Sequence, residues 1–161
     1  MPSPTLEAQI GRALTARKLT LVVAESCTGG LVCHRLTNVP GSSVYFLGGV
    51  VAYAYEVKEQ LLGVRHATLY DHGAVSKETA IEMARGARRL FGADIAVSVT
   101  GIAGPGGGLP NKPVGLTWIA LSARETDLAR QFVWQKDREG NKAESAEAAL
   151  RMVWEYLAAT A

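Results

Sequence analysis

Apolar and polar positions alternate along this chain with periods that change from segment to segment, and each period predicts an element. Leu6, Ile10 and Leu14, followed by Leu19, recur at helical spacing and predict an opening helix over Thr5 to Arg17. The run "LTLVVAE" is continuously apolar and predicts a buried strand from Thr20 to Glu25. A second helix is expected from Thr28 to Leu36, starting at a Gly pair, and "NVPGSS" reads as a turn. "VYFLGGVVAY" predicts a long strand whose inner Gly pair marks a bulge or a close backbone approach. "EVKEQLLG" predicts a short helix stopped by Gly63, and "HATLYDHGAV" a connection. Ser76 is a natural N-cap for a helix over Lys77 to Phe91, with Gly92 as its stop.

After "DIAVSVT", a further strand, comes the Gly/Pro loop "GIAGPGGGLPNKP". "VGLTWIALSA" and "LARQFVW" are two strands joined by the charged turn "RETD", which predicts an antiparallel hairpin. A last helix is expected from Lys142 to Leu157, with Ala149, Met152, Val153 and Tyr156 on one face. Helices and strands are interleaved throughout. The pattern predicts an α/β three-layer sandwich, in which a mostly parallel mixed sheet carries an antiparallel edge hairpin. The 161 residues suffice for one domain, and neither a repeat nor an interdomain linker interrupts them.

Three strand ends carry polar, Gly-rich turns, and ligands of open α/β sheets bind at the carboxyl ends of strands. The first is "AESCTGG", where Ser26, Cys27 and Thr28 stand in a row before Gly29 and Gly30. Free N–H groups at residues such as Thr28 and Gly29 would suit an oxyanion. The plain alternative makes Ser26 or Thr28 a helix cap. If the strand extends that far, alternation puts Ser26 and Cys27 on opposite sides, so one pocket cannot use both. Cys27 needs less activation but has no histidine nearby in sequence. A serine needs a base, which can be a neutral lysine.

The second strand end, "YAYEVK", offers such a lysine in Lys58, with Tyr53 upstream to relay or stabilise the proton. A lysine base at neutral pH needs its pKa lowered by about 3 from the ordinary 10.4 or so, through burial. The plain alternative is a solvated helix lysine. The third end is Thr100 with the glycines that follow, including Gly101 and Gly104. Bare N–H groups there can wrap a phosphate, although the spacing is not that of a Walker A loop. Arg138 and Lys142 in "DREGNK" are cations able to pair with the same group.

Composition narrows the function classes. Apolar residues make up 48% and charged residues 20%, the balance of a folded globular chain. A net charge of +2 supplies no field for a nucleic acid or an acidic membrane. The densest basic group, Arg85, Arg88 and Arg89, reads as a solvated helix face. There is no signal-peptide pattern and no apolar run long enough to span a bilayer, so a cytoplasmic location is expected. Cys27 and Cys33 read as reduced thiols, and no His/Cys spacing suggests a metal.

Taken together, "AESCTGGL", "VPGSS", "FLGGVVAY" with Lys58, "HGAVS", "GARRLFGADIAVSVTGIAGPGGG" and "KPVG" resemble the CinA C-terminal domain family, the nicotinamide mononucleotide deamidases. The resemblance covers about Thr5 to Leu157, in the stand-alone form, as one domain over residues 1–161. It implies an amidohydrolase that converts nicotinamide mononucleotide to nicotinate mononucleotide and ammonia, recycling pyridine nucleotides. Ser26 matches the family nucleophile, and Tyr53 and Lys58 match its catalytic partners. Thr100 and the glycines after it, including Gly101 and Gly104, match the ligand-binding loop, and Thr28, Gly29, Gly30, Arg138 and Lys142 are expected to bind the substrate with them. No metal or organic cofactor is implied, the partner is the small-molecule substrate, and a homo-oligomer is expected. Tyr55 stands where the family usually has asparagine, Leu109 where threonine often follows the glycines, and Asn141-Lys142 where an apolar-Arg pair is usual. The rival expectations are a non-catalytic nucleotide-binding module of the same fold and a hydrolase that uses Cys27.

Overall fold

The computed structural model describes residues 2–161. The elements in chain order are α1 (Leu6–Arg17), β1 (Leu21–Glu25), α2 (Leu31–Thr37), a 3-10 turn (Ser42–Val44), β2 (Phe46–Val51), α3 (Tyr55–Leu62), α4 (His66–His72), α5 (Lys77–Phe91), β3 (Ile95–Gly101), β4 (Leu116–Ala123), β5 (Asp127–Val133) and α6 (Arg138–Ala159). The five strands lie in the order β2-β1-β3-β4-β5. β1 runs parallel to both neighbours, whereas β3-β4 and β4-β5 are antiparallel. The mixed sheet and its hairpin edge are as expected: β1, β2, β3 and β5 run in one direction and β4 alone is reversed.

Strand alternation sorts the apolar side chains into two cores, one on each face. Leu21, Val23, Val97 and Ile119 meet Ile10 and Leu14 of α1, Leu36 of α2, and Leu150 and Val153 of α6. Val22, Ala24, Ala96 and Ala120 meet Leu62 of α3, Leu69 of α4, and Met83 and Ala87 of α5. With both faces covered, the central strands are apolar at nearly every position, which is why β1 reads as a continuous run. On the second face α5 approaches the end of α3 very closely. A Cβ on Gly86 would lie 1.7 Å from the Leu62 carbonyl oxygen, so only glycine fits this seam.

Three boundaries differ from expectation. The second helix begins at Leu31 and not at Thr28, because Gly30, at φ +106°, takes a left-handed conformation and acts as N-cap. Residues 66–72 form α4, where a connection was expected. Its sequence is polar, but Thr68 and Leu69 turn inward, and the Thr68 hydroxyl donates to Glu82 of α5 at 2.7 Å. The last helix begins four residues early, at Arg138, because the Asp137 carboxylate accepts from the Gly140 N–H at 2.8 Å.

Candidate active site

Because β1, β2 and β3 are mutually parallel, their carboxyl ends fall on one edge of the sheet. The three polar turns singled out in the sequence therefore converge. α6 brings its first turn to the same edge, since β5 ends there. Ser26, Tyr53, Lys58, Thr100, Gly101 and Arg138 all line one cavity of about 190 Å3, together with Cys27, Ala74, Val75 and Ala103. A larger hollow of about 770 Å3 holds Arg85, Arg88, Arg89 and Arg124 at the opposite end of the sheet. Its one buried serine, Ser122, accepts from Arg88 and has no base beside it. Size here does not follow chemistry, and the smaller cavity is the candidate site.

Lys58 is the centre of the arrangement. It sits four residues before Leu62 on the inward face of α3 and is 1% exposed. Its Nζ lies 3.0 Å from Ser26 Oγ, 2.6 Å from the Ala52 carbonyl and 3.2 Å from the Tyr53 carbonyl. No carboxylate pairs with it among the described residues. Burial without a counter-charge disfavours the ammonium and lowers the lysine pKa to about 8. The three contacts also suit the neutral amine. As an ammonium it donates to all three oxygens; as a neutral amine it could donate to the two carbonyls and leave its lone pair for the Ser26 hydroxyl.

Ser26 is held by its own backbone, whose N–H donates to the Val99 carbonyl at 2.9 Å. The strand stops one residue earlier, at Glu25, so the expected alternation does not extend to Cys27. Cys27 consequently borders the same cavity as Ser26, a correction to the expectation that it faces away. It is still a poor nucleophile. Burial, aided by the Glu25 carboxylate, pushes its thiol up to about 12. Its sulfur also packs against Gly101, where a Cβ would come within 3.0 Å of it. Cys27→Ala is expected to keep its ammonia-release rate within about threefold of wild type, a small packing effect. A loss equal to that of Ser26→Ala would make the thiol essential.

The Tyr53 phenol does not touch Lys58; the main-chain carbonyl of Tyr53 does. The hydroxyl accepts from Arg138 Nη2 at 3.1 Å, while Arg138 Nη1 donates to the Gly104 carbonyl at 2.7 Å. Arg138 thus ties the loop after β2 to the Gly-rich loop after β3, across the mouth of the cavity. It also borders a neighbouring hollow of about 500 Å3 with Pro105, Val114 and Lys136. Lys142, one turn along α6, lies apart from it: its Nζ would be 3.8 Å from a Cβ on Gly29. Arg138 borders the cavity, whereas Lys142, Thr28, Gly29, Gly30 and Gly104, expected at the substrate, are not among the residues that line it. Thr100 donates its hydroxyl to the Ala74 carbonyl at 2.7 Å, which fixes the wall between β3 and the loop before α5.

Among the described residues, the N–H groups of Cys27, Thr28 and Gly30 have no acceptor within the protein, whereas that of Gly29 closes a turn onto the Ser26 carbonyl. The Thr28 hydroxyl is buried and unpartnered as well. The expected oxyanion donors shift accordingly: Thr28 remains available and Gly29 does not. Sequence reasoning missed Ala52, whose carbonyl makes the shortest contact to Lys58, and Asn141, whose amide donates to the Ala103 carbonyl at 3.0 Å. No side-chain pattern reports a main-chain acceptor. Asn141 was hidden because the start of α6 was placed after it. Among the described residues, no three His, Cys, Asp or Glu side chains gather as a metal site, and no helix is long and apolar enough to cross a membrane.

A family model described as the CinA C-terminal domain matches residues 3–157. A CinA-like protein of Chloroherpeton thalassium is 52% identical over 159 residues, covering 96% of this chain and 38% of its own length. A CinA-like protein of Chlorobaculum tepidum is 53% identical over 152 residues, covering 91% of this chain and 36% of its own. The chain thus spans little more than a third of these relatives. Among solved structures, the competence damage-inducible protein A of Klebsiella pneumoniae superposes with a TM-score of 0.92 at 38% identity, covering 95% of each chain.

Proposed function

The chain belongs to the CinA C-terminal domain family, and from that premise we propose that it is an amidohydrolase that deamidates nicotinamide mononucleotide by serine-lysine catalysis. The observation that carries the reading is the buried, unpaired Lys58, 3.0 Å from Ser26 Oγ. Neutral Lys58 takes the hydroxyl proton as Ser26 Oγ attacks the carboxamide carbon. The free N–H groups of Cys27, Thr28 and Gly30 hold the developing oxyanion. Lys58 then returns the proton to the leaving nitrogen, and ammonia departs. A water, deprotonated by the same amine, hydrolyses the Ser26 ester and releases nicotinate mononucleotide.

The substrate class fits the charges of the cavity. The pyridinium ring of the nucleotide is cationic, so a neutral lysine meets it without repulsion. Tyr53, 60% exposed at the mouth, offers its face to such a ring. A cavity of about 190 Å3 holds the carboxamide-bearing ring, and the ribose and phosphate extend past Arg138. Thr100 and Gly101 line the wall they pass, Arg138 holds the Gly104 carbonyl, and Lys142 lies near Gly29.

Ammonia release measured across nicotinamide mononucleotide, nicotinamide riboside, nicotinamide and glutamine tests the reading. The mononucleotide is expected to be the preferred substrate. The riboside should be poorer by about 10- to 100-fold in kcat/KM, from the loss of one charge-assisted contact. Equal values for the two would remove the phosphate from recognition. Turnover of glutamine without turnover of the mononucleotide would overturn the substrate assignment.

A further inference from the structure

Glu25 has no part in the reaction as described, yet its environment is unlike that of any other acidic residue in the chain. It is fully buried, at 0% exposure, and no cation pairs with it among the described residues. A buried carboxylate is costly unless hydrogen bonds satisfy it. Two do: Oε1 accepts from the Val32 N–H and Oε2 from the Cys33 N–H, each at 3.0 Å. These belong to the first turn of α2, whose N-cap, Gly30, has no side chain to offer. Glu25 caps the helix from seven and eight residues away.

We propose that Glu25 is a positioning residue for the oxyanion donors, an inference that rests on the serine-lysine reading. Its main chain is fixed in the sheet, where its carbonyl accepts from the Ala52 N–H at 2.7 Å. Its side chain is fixed to α2. The turn Ser26–Gly30 is therefore clamped at both ends by one residue. The carboxylate takes up the Val32 and Cys33 amides from inside the protein, and the Leu31 N–H donates back to the Thr28 carbonyl at 3.1 Å, so the helix start takes one carbonyl from the turn and none of its N–H groups. The turn keeps its own N–H groups at Cys27, Thr28 and Gly30 without an acceptor in the protein, and Cys27 borders the same cavity as Ser26. The Thr28 hydroxyl of the same turn is buried and unpartnered as well. Glutamine in place of Glu25 would set an amide N–H2 against a backbone N–H and lose one of the two bonds. Aspartate keeps the charge but is one methylene short of α2.

The test compares wild type, Glu25→Gln and Glu25→Asp by steady-state kinetics on folded protein and by amide hydrogen exchange. In both variants kcat is expected to fall about 10- to 100-fold. KM should stay within about twofold, and the midpoint of the pH profile should not move, since Lys58 is untouched. A merely structural cap would lower melting temperature and leave kcat per folded molecule intact, and that outcome overturns the proposal. In wild type, exchange should be slow at Val32 and Cys33 and fast at Cys27, Thr28 and Gly30; slow exchange at those three overturns it even if neither variant folds. If wild type releases no ammonia, the functional reading fails first. The clamp is then judged by exchange alone, and protection at Val32 and Cys33 that persists in a folded Glu25→Gln overturns it.

Discussion

Ser26→Ala is expected to lower kcat for ammonia release by a factor on the order of 10^4 or more, the scale on which serine hydrolases lose their nucleophile. Binding should survive. Removing one hydroxyl opens little space, and the walls made by Tyr53, Thr100 and Arg138 are tied to other elements. Nicotinate mononucleotide should therefore bind the variant nearly as well as the wild type. A residual rate would come from water activated by Lys58. Removing Cys27 as well should change nothing further, because its thiol, pushed up to about 12, is protonated throughout the working range. A Ser26→Ala enzyme within about tenfold of wild type would remove covalent catalysis at this position, since no group with a base 3.0 Å away would remain to replace it.

Lys58→Arg should be almost as damaging, with a loss on the order of 10^3-fold, within the usual range for a general base. Arginine keeps the positive charge and can donate to the Ala52 and Tyr53 carbonyls, but it has no lone pair for the Ser26 proton. The pH dependence gives the second signature. Only the neutral amine is competent, and its pKa is about 8. Wild-type kcat/KM should accordingly rise with pH, about tenfold per unit below 8, and level off above it. That rise should vanish in Lys58→Arg. An arginine variant retaining a tenth or more of the wild-type rate, with the same pH profile, would show that Lys58 only steadies charge.

The three strand ends were legible because a strand covered on both faces is apolar almost everywhere. A polar residue at the end of such a run, like Ser26 or Thr100, stands out. Their convergence was less so, since it depends on β1, β2 and β3 being parallel, a property of topology and not of local pattern. The burial of Lys58 was half legible. "EVKEQ" reads as a solvated helix, yet the spacing of Lys58 to Leu62 puts both on one face, and Leu62 is core. The bridge from Tyr53 through Arg138 to Gly104 joins three segments distant in sequence, and the clamp at Glu25 uses backbone amides; neither leaves a side-chain signature. α4 escaped notice because tertiary contacts to Glu82, and not its own periodicity, hold it.

The seat of Lys58 has a cost in folding that is separate from its use in catalysis. The unfolded chain carries this lysine with its ordinary pKa, near 10.5, and folding lowers it to about 8. Between those values the unfolded state binds more protons than the native one, so native stability rises with pH across that window. Below about 8 both states hold the proton, and the native state then buries a charge with only neutral acceptors around it. The domain is thus least favoured by this residue at neutral pH and below, and its two apolar cores must offset the strain. An apolar side chain of similar length at position 58 would relieve it, trading activity for a higher melting temperature.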